Sequence, residues 1–205
     1  MKVSVCAAVA TALLDAYVGV LYCVKLLRGE IAPRITTWLI FEIGVVMSLA
    51  SYIASKDHSL VKAAMNVADA AVVSVILVAL LVERKGRRIH FTKSELASLA
   101  IAGVATVVWV VTRTGWLAFV GFQLVMSIAY LPTLESVWRW RRGRSPEPLE
   151  KWSINAVMAL MGLIAATADG RDSLAMVYPL RAFVLCVIVV LLIRRWQRKS
   201  VLAQA

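Results

Sequence analysis

Seven long apolar segments constrain the fold of this chain more than any other feature. They range from 17 to 23 residues, and a helix needs about 17 to 25 residues to cross the hydrocarbon core of a bilayer. The segments are Val5–Leu27, Ile35–Ala54, Leu60–Val82, Ser94–Thr112, Gly115–Val137, Trp152–Ala168 and Leu174–Ile193. Their apolar runs are continuous rather than alternating, which favours helices over the strands of a barrel. We therefore predict an all-α, polytopic membrane protein with seven transmembrane helices.

The composition excludes several other classes of protein. Of the 205 residues, 61% are hydrophobic and only 17% are charged, and the connections are too short for a water-soluble domain. The net charge is +11, but most of the lysines and arginines flank apolar segments, so we expect no nucleic-acid partner. The three cysteines and two histidines are scattered, so we expect no disulfide scaffold, no metal site and no cofactor.

The basic residues also predict the orientation, because positively charged loops remain in the cytoplasm. Seventeen lysines and arginines fall on one set of alternate connections and five on the other, which predicts an outside N-terminus and a cytoplasmic C-terminus. We expect an inner (plasma) membrane of bacterial type, with the basic clusters at 141–144 and 194–199 against anionic lipids. The first segment continues beyond the usual length of a signal peptide, with Asp15 in its middle, so we expect it to remain as a span.

The chain contains an internal repeat. A shift of 114 residues aligns Arg28–Lys85 with Arg142–Lys199 without a gap, and 15 of 58 positions are identical. The polar, glycine and tryptophan identities matter most, because apolar composition alone produces matches; they include Gly29/Gly143, Trp38/Trp152 and Ser59/Ser173. Four helices separate equivalent spans, so both units point the same way. We predict two parallel three-helix repeats, residues 1–85 and 114–205, joined by an inverting linker helix at 86–113 (3+1+3).

The stretch from Gly121 to Leu163 resembles a PQ-loop repeat, with Pro132 at the position of the motif's proline and a basic loop before the next helix. Thr133 replaces the motif's glutamine, and the first unit has Val18 and Gly19 at the matching positions. The chain is thus similar to bacterial seven-helix relatives of the PQ-loop and SWEET-like superfamily, which also includes the SemiSWEET proteins. The resemblance implies a transporter in which Pro132 acts as a hinge, and Pro179 within the seventh span is a second candidate hinge.

Four charged residues lie inside the apolar segments, where charge is costly and usually faces a cavity: Asp15, Glu42, Asp69 and Arg181. The acids are candidates for proton coupling, and the alternative is that they are paired acids that fix helix packing. If Arg181 faces the cavity, the solute is expected to carry a carboxylate or phosphate. Otherwise its charge is neutralised by one of the acids.

Helical spacing groups the other candidate binding residues. Trp38 and Glu42 share one helix face, as do Trp152 and Asn155, and the repeat places the two tryptophans opposite each other. The resemblance implies that such side chains clamp a solute, whereas tryptophan near a span end is also typical of the aromatic belt.

Asn66 and Asp69 share a face on the third span, and the resemblance makes Asn66 the substrate-binding asparagine. Contact between Asp69 and Arg181 requires one helix to be rotated or bent, for which Pro179 is the candidate.

These features together predict the function. We expect a transporter that moves a small polar solute (a sugar, an amino acid or a small organic acid) by alternating access at a site between the repeats, with proton linkage from the buried acids. The alternative is a membrane scaffold or accessory subunit, as a homo-oligomer or with another membrane protein. The sequence contains no nucleophile and base set and no phosphate loop, so we expect no enzyme. The seventh span lacks the lysine that a retinal protein needs.

Overall fold

The computed structural model describes residues 2–31, 33, 35–55, 58–83, 91–112, 114–139 and 147–202, with the backbone alone at 94, 132 and 198–202. Over these ranges the chain forms seven helices and no strand. The helices are α1 (Val3–Leu27), α2 (Ile35–Ile53), α3 (Ala64–Glu83), α4 (Lys93–Thr112), α5 (Gly115–Arg139), α6 (Leu149–Thr167) and α7 (Ser173–Leu202). All seven are long and apolar enough to cross a membrane. The prediction of an all-helical, multi-pass membrane protein is confirmed, and the basic cluster at 141–144 lies outside the described residues.

The seventh helix continues to Leu202 rather than ending at Ile193. Two predicted helix starts also differ by three residues or more, because hydropathy does not register hydrogen bonding or ion pairing. The third helix begins at Ala64 rather than Leu60, and the residues before it form a turn in which the Ala64 amide donates to the Val61 carbonyl at 3.3 Å. The sixth helix begins at Leu149 rather than Trp152. Its first turn holds Glu150 and Lys151. Because these two residues are charged, the apolar segment in the sequence starts only after them.

The helices pack in a definite order of neighbours. Helix α3 contacts both α1 and α2, and α7 contacts both α5 and α6. The largest contacts between these two groups join α1 to α6 and α2 to α5. Helix α4 packs on α5 and α2, where the Thr36 hydroxyl donates a hydrogen bond to Glu95 at the start of α4.

Polar contacts connect α1 to the second group of helices at both ends of the bundle. At one end the backbone amide and hydroxyl of Ser4 donate to Asp169 Oδ2 at 3.1 and 2.7 Å. These two hydrogen bonds hold the pKa of the Asp169 carboxyl below its usual range. At the other end Lys25 forms an ion pair with Glu150 at the start of α6. We call these the Ser4 end and the Lys25 end.

Candidate functional site

A cavity of about 50 Å³ lies inside the bundle, lined by residues of every helix except α4. Six of the residues singled out in the sequence line it: Asp15, Trp38, Asp69, Trp152, Asn155 and Arg181. An enclosed water molecule needs roughly 10 to 15 Å³ of such volume, so the cavity has room for a few water molecules. It therefore combines a small volume with a high density of ionisable groups.

An acidic pair forms the middle of the cavity. Asp15 lies at the midpoint of α1 and is only 2% exposed, and its carboxyl group interacts electrostatically with the Asp69 carboxyl on α3. The Tyr178 hydroxyl on α7 donates to Asp69 Oδ2 at 2.7 Å. Asp15 Oδ2 is buried and has no hydrogen-bond partner among the described residues. The pair thus retains an open acceptor inside the protein.

Lys151 lies in an aromatic cage toward the Lys25 end. Its ammonium nitrogen is 3.8 Å from the ring centroid of Trp152, 4.5 Å from that of Trp38 and 5.0 Å from that of Tyr22. The lysine is 5% exposed, and each of the three aromatic residues is equally or more deeply buried. The faces of aromatic rings attract cations, so the three rings compensate for part of the hydration that the ammonium loses.

The two tryptophans of the cage are oriented by hydrogen bonds. Trp38 Nε1 donates to the Tyr22 hydroxyl at 3.1 Å, and Trp152 Nε1 donates to Glu147 Oε2 at 3.3 Å. Burial raises the pKa of the Glu147 carboxyl. The nearby Lys151 ammonium and the hydrogen bond from Trp152 partly offset this rise. The structure brings both tryptophans against one ammonium inside the bundle, which is not the placement of residues in a lipid-facing belt.

Arg181 belongs to a chain of hydrogen bonds that crosses four helices. Its Nε donates to Gln123 Oε1 at 2.9 Å, and Gln123 Nε2 donates to Ser48 Oγ at 2.7 Å. Asn66 Nδ2 also donates to Ser48 Oγ, at 3.1 Å. This chain, Arg181–Gln123–Ser48–Asn66, is called the polar chain below. Arg181 Nη1 is buried and has no partner among the described residues.

Asp69 and Arg181 both line the cavity, but no ion pair joins them in the described part of the chain. Tyr178 connects them instead, because its hydroxyl bonds Asp69 while its ring lies 5.0 Å from the Arg181 guanidinium carbon. Helix α7 continues through Pro179 without a break.

Asn66 and Glu42 lie away from this cavity. Asn66 shares a face with Asp69 on α3 but bonds Ser48 on α2, whereas Asp69 bonds Tyr178 on α7. Glu42 Oε1 accepts a hydrogen bond from Ser74 on α3 at 2.6 Å, and it is not among the residues that line the cavity. Of the two candidate hinges, Pro179 on α7 packs against Gly162 on α6. The side chain of Pro132 lies outside the described residues.

Sequence reasoning missed Lys151 and its partner Tyr22. Hydropathy places Lys151 among the basic residues at span ends, although one signal indicates a different role. A cation in the first turn of a helix opposes the helix dipole, so a lysine beside Trp152 in that turn requires another source of stabilisation.

Comparisons with family models, with curated proteins and with solved structures found no match to this chain.

Proposed function

We propose that this protein is a transporter, not an enzyme, and that it moves a small polar solute through the central cavity by alternating access. The observation that carries the proposal is the cavity itself, which contains two acids and two bases contributed by α1, α3, α6 and α7. Three polar atoms of its lining residues have no partner among the described residues: Asp15 Oδ2, Asn155 Oδ1 and Arg181 Nη1. Unpartnered buried polar groups cost free energy, so a solute that satisfies them is bound favourably.

The packing supports the arrangement of two three-helix repeats. Suppose that α1, α2 and α3 are equivalent to α5, α6 and α7. Exchanging the two units then turns the contact of α1 with α6 into that of α5 with α2. These are the two main contacts between the groups. Likewise, α3 and α7 each contact both other helices of their own group. The cavity lies between the groups, as expected for a carrier of the PQ-loop or SWEET-like kind.

Polar and aromatic groups on both sides of the cavity support alternating access. The polar chain includes Ser48 in the last turns of α2 and Asn66 in the first turn of α3, toward the Ser4 end. The aromatic cage is toward the Lys25 end. At about 50 Å³ the cavity is smaller than the roughly 150 Å³ site that holds benzene in another protein, so a solute enters only when one side opens.

We further propose that transport is linked to protons through Asp15 and Asp69. Two carboxylates that interact inside a low-dielectric interior repel each other strongly, so we expect such a pair to retain a proton. A solute that donates a hydrogen bond or brings a positive charge to Asp15 Oδ2 lowers the cost of ionising the pair. Binding therefore releases the proton, and the two fluxes are coupled.

The membrane orientation completes the proposal. The distribution of basic residues favours the Lys25 end as the cytoplasmic one, with anionic lipids against its loops. The N-terminus is then outside and the cage faces the cytoplasm.

The first experiment identifies a solute and then measures coupled flux. Thermal unfolding of the detergent-purified protein is followed with sugars, amino acids, organic acids and amines at pH 5.5 and 7.5, because a ligand that binds the folded state raises its stability. The solute that stabilises the protein is then applied as a gradient to proteoliposomes that contain a pH-sensitive dye. We expect solute-driven proton flux in the wild type, and a loss of at least tenfold in Asp15→Asn and in Asp69→Asn.

Glu42→Gln is the matched control, because Glu42 is a partly buried acid within a span but does not line the cavity. It should retain most of the flux. Absence of stabilisation and flux with every solute would overturn the transporter proposal. The paired and buried polar chain would then favour the alternative, a membrane scaffold or accessory subunit whose polar residues specify assembly.

A further inference from the structure

The aromatic cage has the properties of a ligand site that the protein fills with its own side chain. Lys151 makes no hydrogen bond and no ion pair within the described residues, and its contacts in the cage are those with the three rings. An ammonium has three N–H donors, so one that makes no hydrogen bond keeps donor capacity unused, and the carboxyl groups of Glu147, Asp69 and Asp15 interact with it only electrostatically. Recognition of an ammonium by several aromatic faces is an established binding mode for cationic ligands.

Two unpartnered acceptors accompany the cage in the same cavity. Asp15 Oδ2 and Asn155 Oδ1 are buried, belong to residues that line the cavity and have no donor among the described residues. A free ammonium that enters the cavity therefore finds both ring faces and oxygen acceptors. An anion would not enter the cage, because the negative faces of the rings repel it.

An acidic neighbour offers the Lys151 ammonium another contact. Glu147 is buried next to the cage and interacts electrostatically with the Lys151 ammonium. The lysine lies in the first turn of α6 near the Lys25 end, and the inference requires a change of its side-chain rotamer that takes the ammonium out of the cage.

We infer that the cage of Tyr22, Trp38 and Trp152 binds the ammonium group of a small amine-bearing solute, and that Lys151 is a tethered occupant which this group displaces. The role of the cage in transport rests on the proposed function, because the inference names the class of solute that the carrier accepts. It also explains the small cavity, because the lysine side chain occupies part of the space that the solute needs.

The test replaces the deleted side chain with a free amine. Lys151→Ala removes the part of the side chain that corresponds to propylammonium, so propylammonium is the probe and propan-1-ol is its neutral counterpart. Both are titrated against purified wild type, Lys151→Ala and Lys93→Ala, with unfolding temperature and tryptophan fluorescence as readouts. Lys93 is the matched control, because it is an exposed lysine at the start of α4.

We expect propylammonium to bind Lys151→Ala at least tenfold more tightly than the wild type or Lys93→Ala, and propan-1-ol to bind none of them detectably. Adding Trp152→Leu to Lys151→Ala should abolish the gain. Equal binding to all variants, or no binding to Lys151→Ala, would overturn the inference. Stabilisation of the wild type by acetate that is lost in Lys151→Ala would also overturn it, because Lys151 would then be an anion ligand.

If Lys151→Ala does not fold alone, it is expressed with propylammonium or propan-1-ol and examined by gel filtration. Recovery with the amine alone supports the inference, and recovery with neither overturns it. The outcome is separate from that of the flux experiment. Amine binding without proton flux for any solute refutes the transporter and leaves the cage as a binding site, whereas coupled flux without amine binding refutes only the cage.

Discussion

Ser48 is the residue on which two buried amide groups depend. Its hydroxyl oxygen accepts hydrogen bonds from Gln123 and Asn66, and it connects Arg181 indirectly to α3. Ser48→Ala leaves both amide donors unpaired in the interior, so we expect a loss of about 1 to 3 kcal/mol in the free energy of unfolding. Interhelical hydrogen bonds in membranes average only about 0.6 kcal/mol each, which places the expected loss toward the lower end of that range. Reversible unfolding in mixed detergent micelles measures the change.

Ser127→Ala is the control for Ser48→Ala. The Ser127 hydroxyl donates to the Gln123 carbonyl of its own helix at 2.8 Å, so its loss leaves no interhelical partner unpaired. We expect a change within about 0.5 kcal/mol. Equal losses in the two variants would show that the polar chain contributes nothing beyond an ordinary buried hydroxyl.

At the level of elements, close helix contacts depend on glycine. A Cβ atom added at Gly162 of α6 would lie 3.0 Å from Met65 Cβ on α3 and 3.3 Å from Pro179 Cβ on α7. Neither neighbour is the end of a flexible side chain, so Gly162→Ala forces the helices apart, and we expect a loss of about 1 to 3 kcal/mol in stability. Gly103→Ala on α4 meets no atom within 4 Å, so it should be neutral or stabilising, by at most about 1 kcal/mol. Thermal unfolding of the two variants tests this contrast, and similar losses in both would refute it.

Gly19 illustrates the same point. In the alignment with a shift of 114 residues Gly19 corresponds to Thr133, and α1 runs without a break from Val3 to Leu27. A Cβ atom at Gly19 would lie 2.7 Å from Val72 Cγ1 on α3. The absence of a side chain thus allows α1 and α3 to approach closely beside the acidic pair.

At the scale of the whole molecule, the proposed alternating access requires the two three-helix units to rock against each other, so that each end of the bundle separates in turn. Ser4 with Asp169, and Lys25 with Glu150, connect α1 to the second group of helices at opposite ends. In a cysteine-free background, cysteines at either pair joined by a short, reducible thiol cross-linker should each reduce solute flux at least tenfold, and a reductant should restore it. Proteoliposome flux measures the effect, and single-cysteine variants treated with the same reagent are the controls. Full flux with both cross-links in place would contradict rocking between the units.

The sequence by itself determined that seven helices are long and apolar enough to cross the membrane, because hydropathy sums local transfer free energies that need no knowledge of neighbours. It also identified six residues that the cavity brings together, since a charged, polar or aromatic side chain inside a span has few places to lie in lipid. Only the tertiary structure decided the partners. Asn66 and Asp69 share a helix face but bond different helices, and Lys151, a span-end charge by sequence, is buried against three rings. Which groups meet depends on how each helix is rotated against its neighbours, and that rotation is set by packing contacts between residues far apart in the chain.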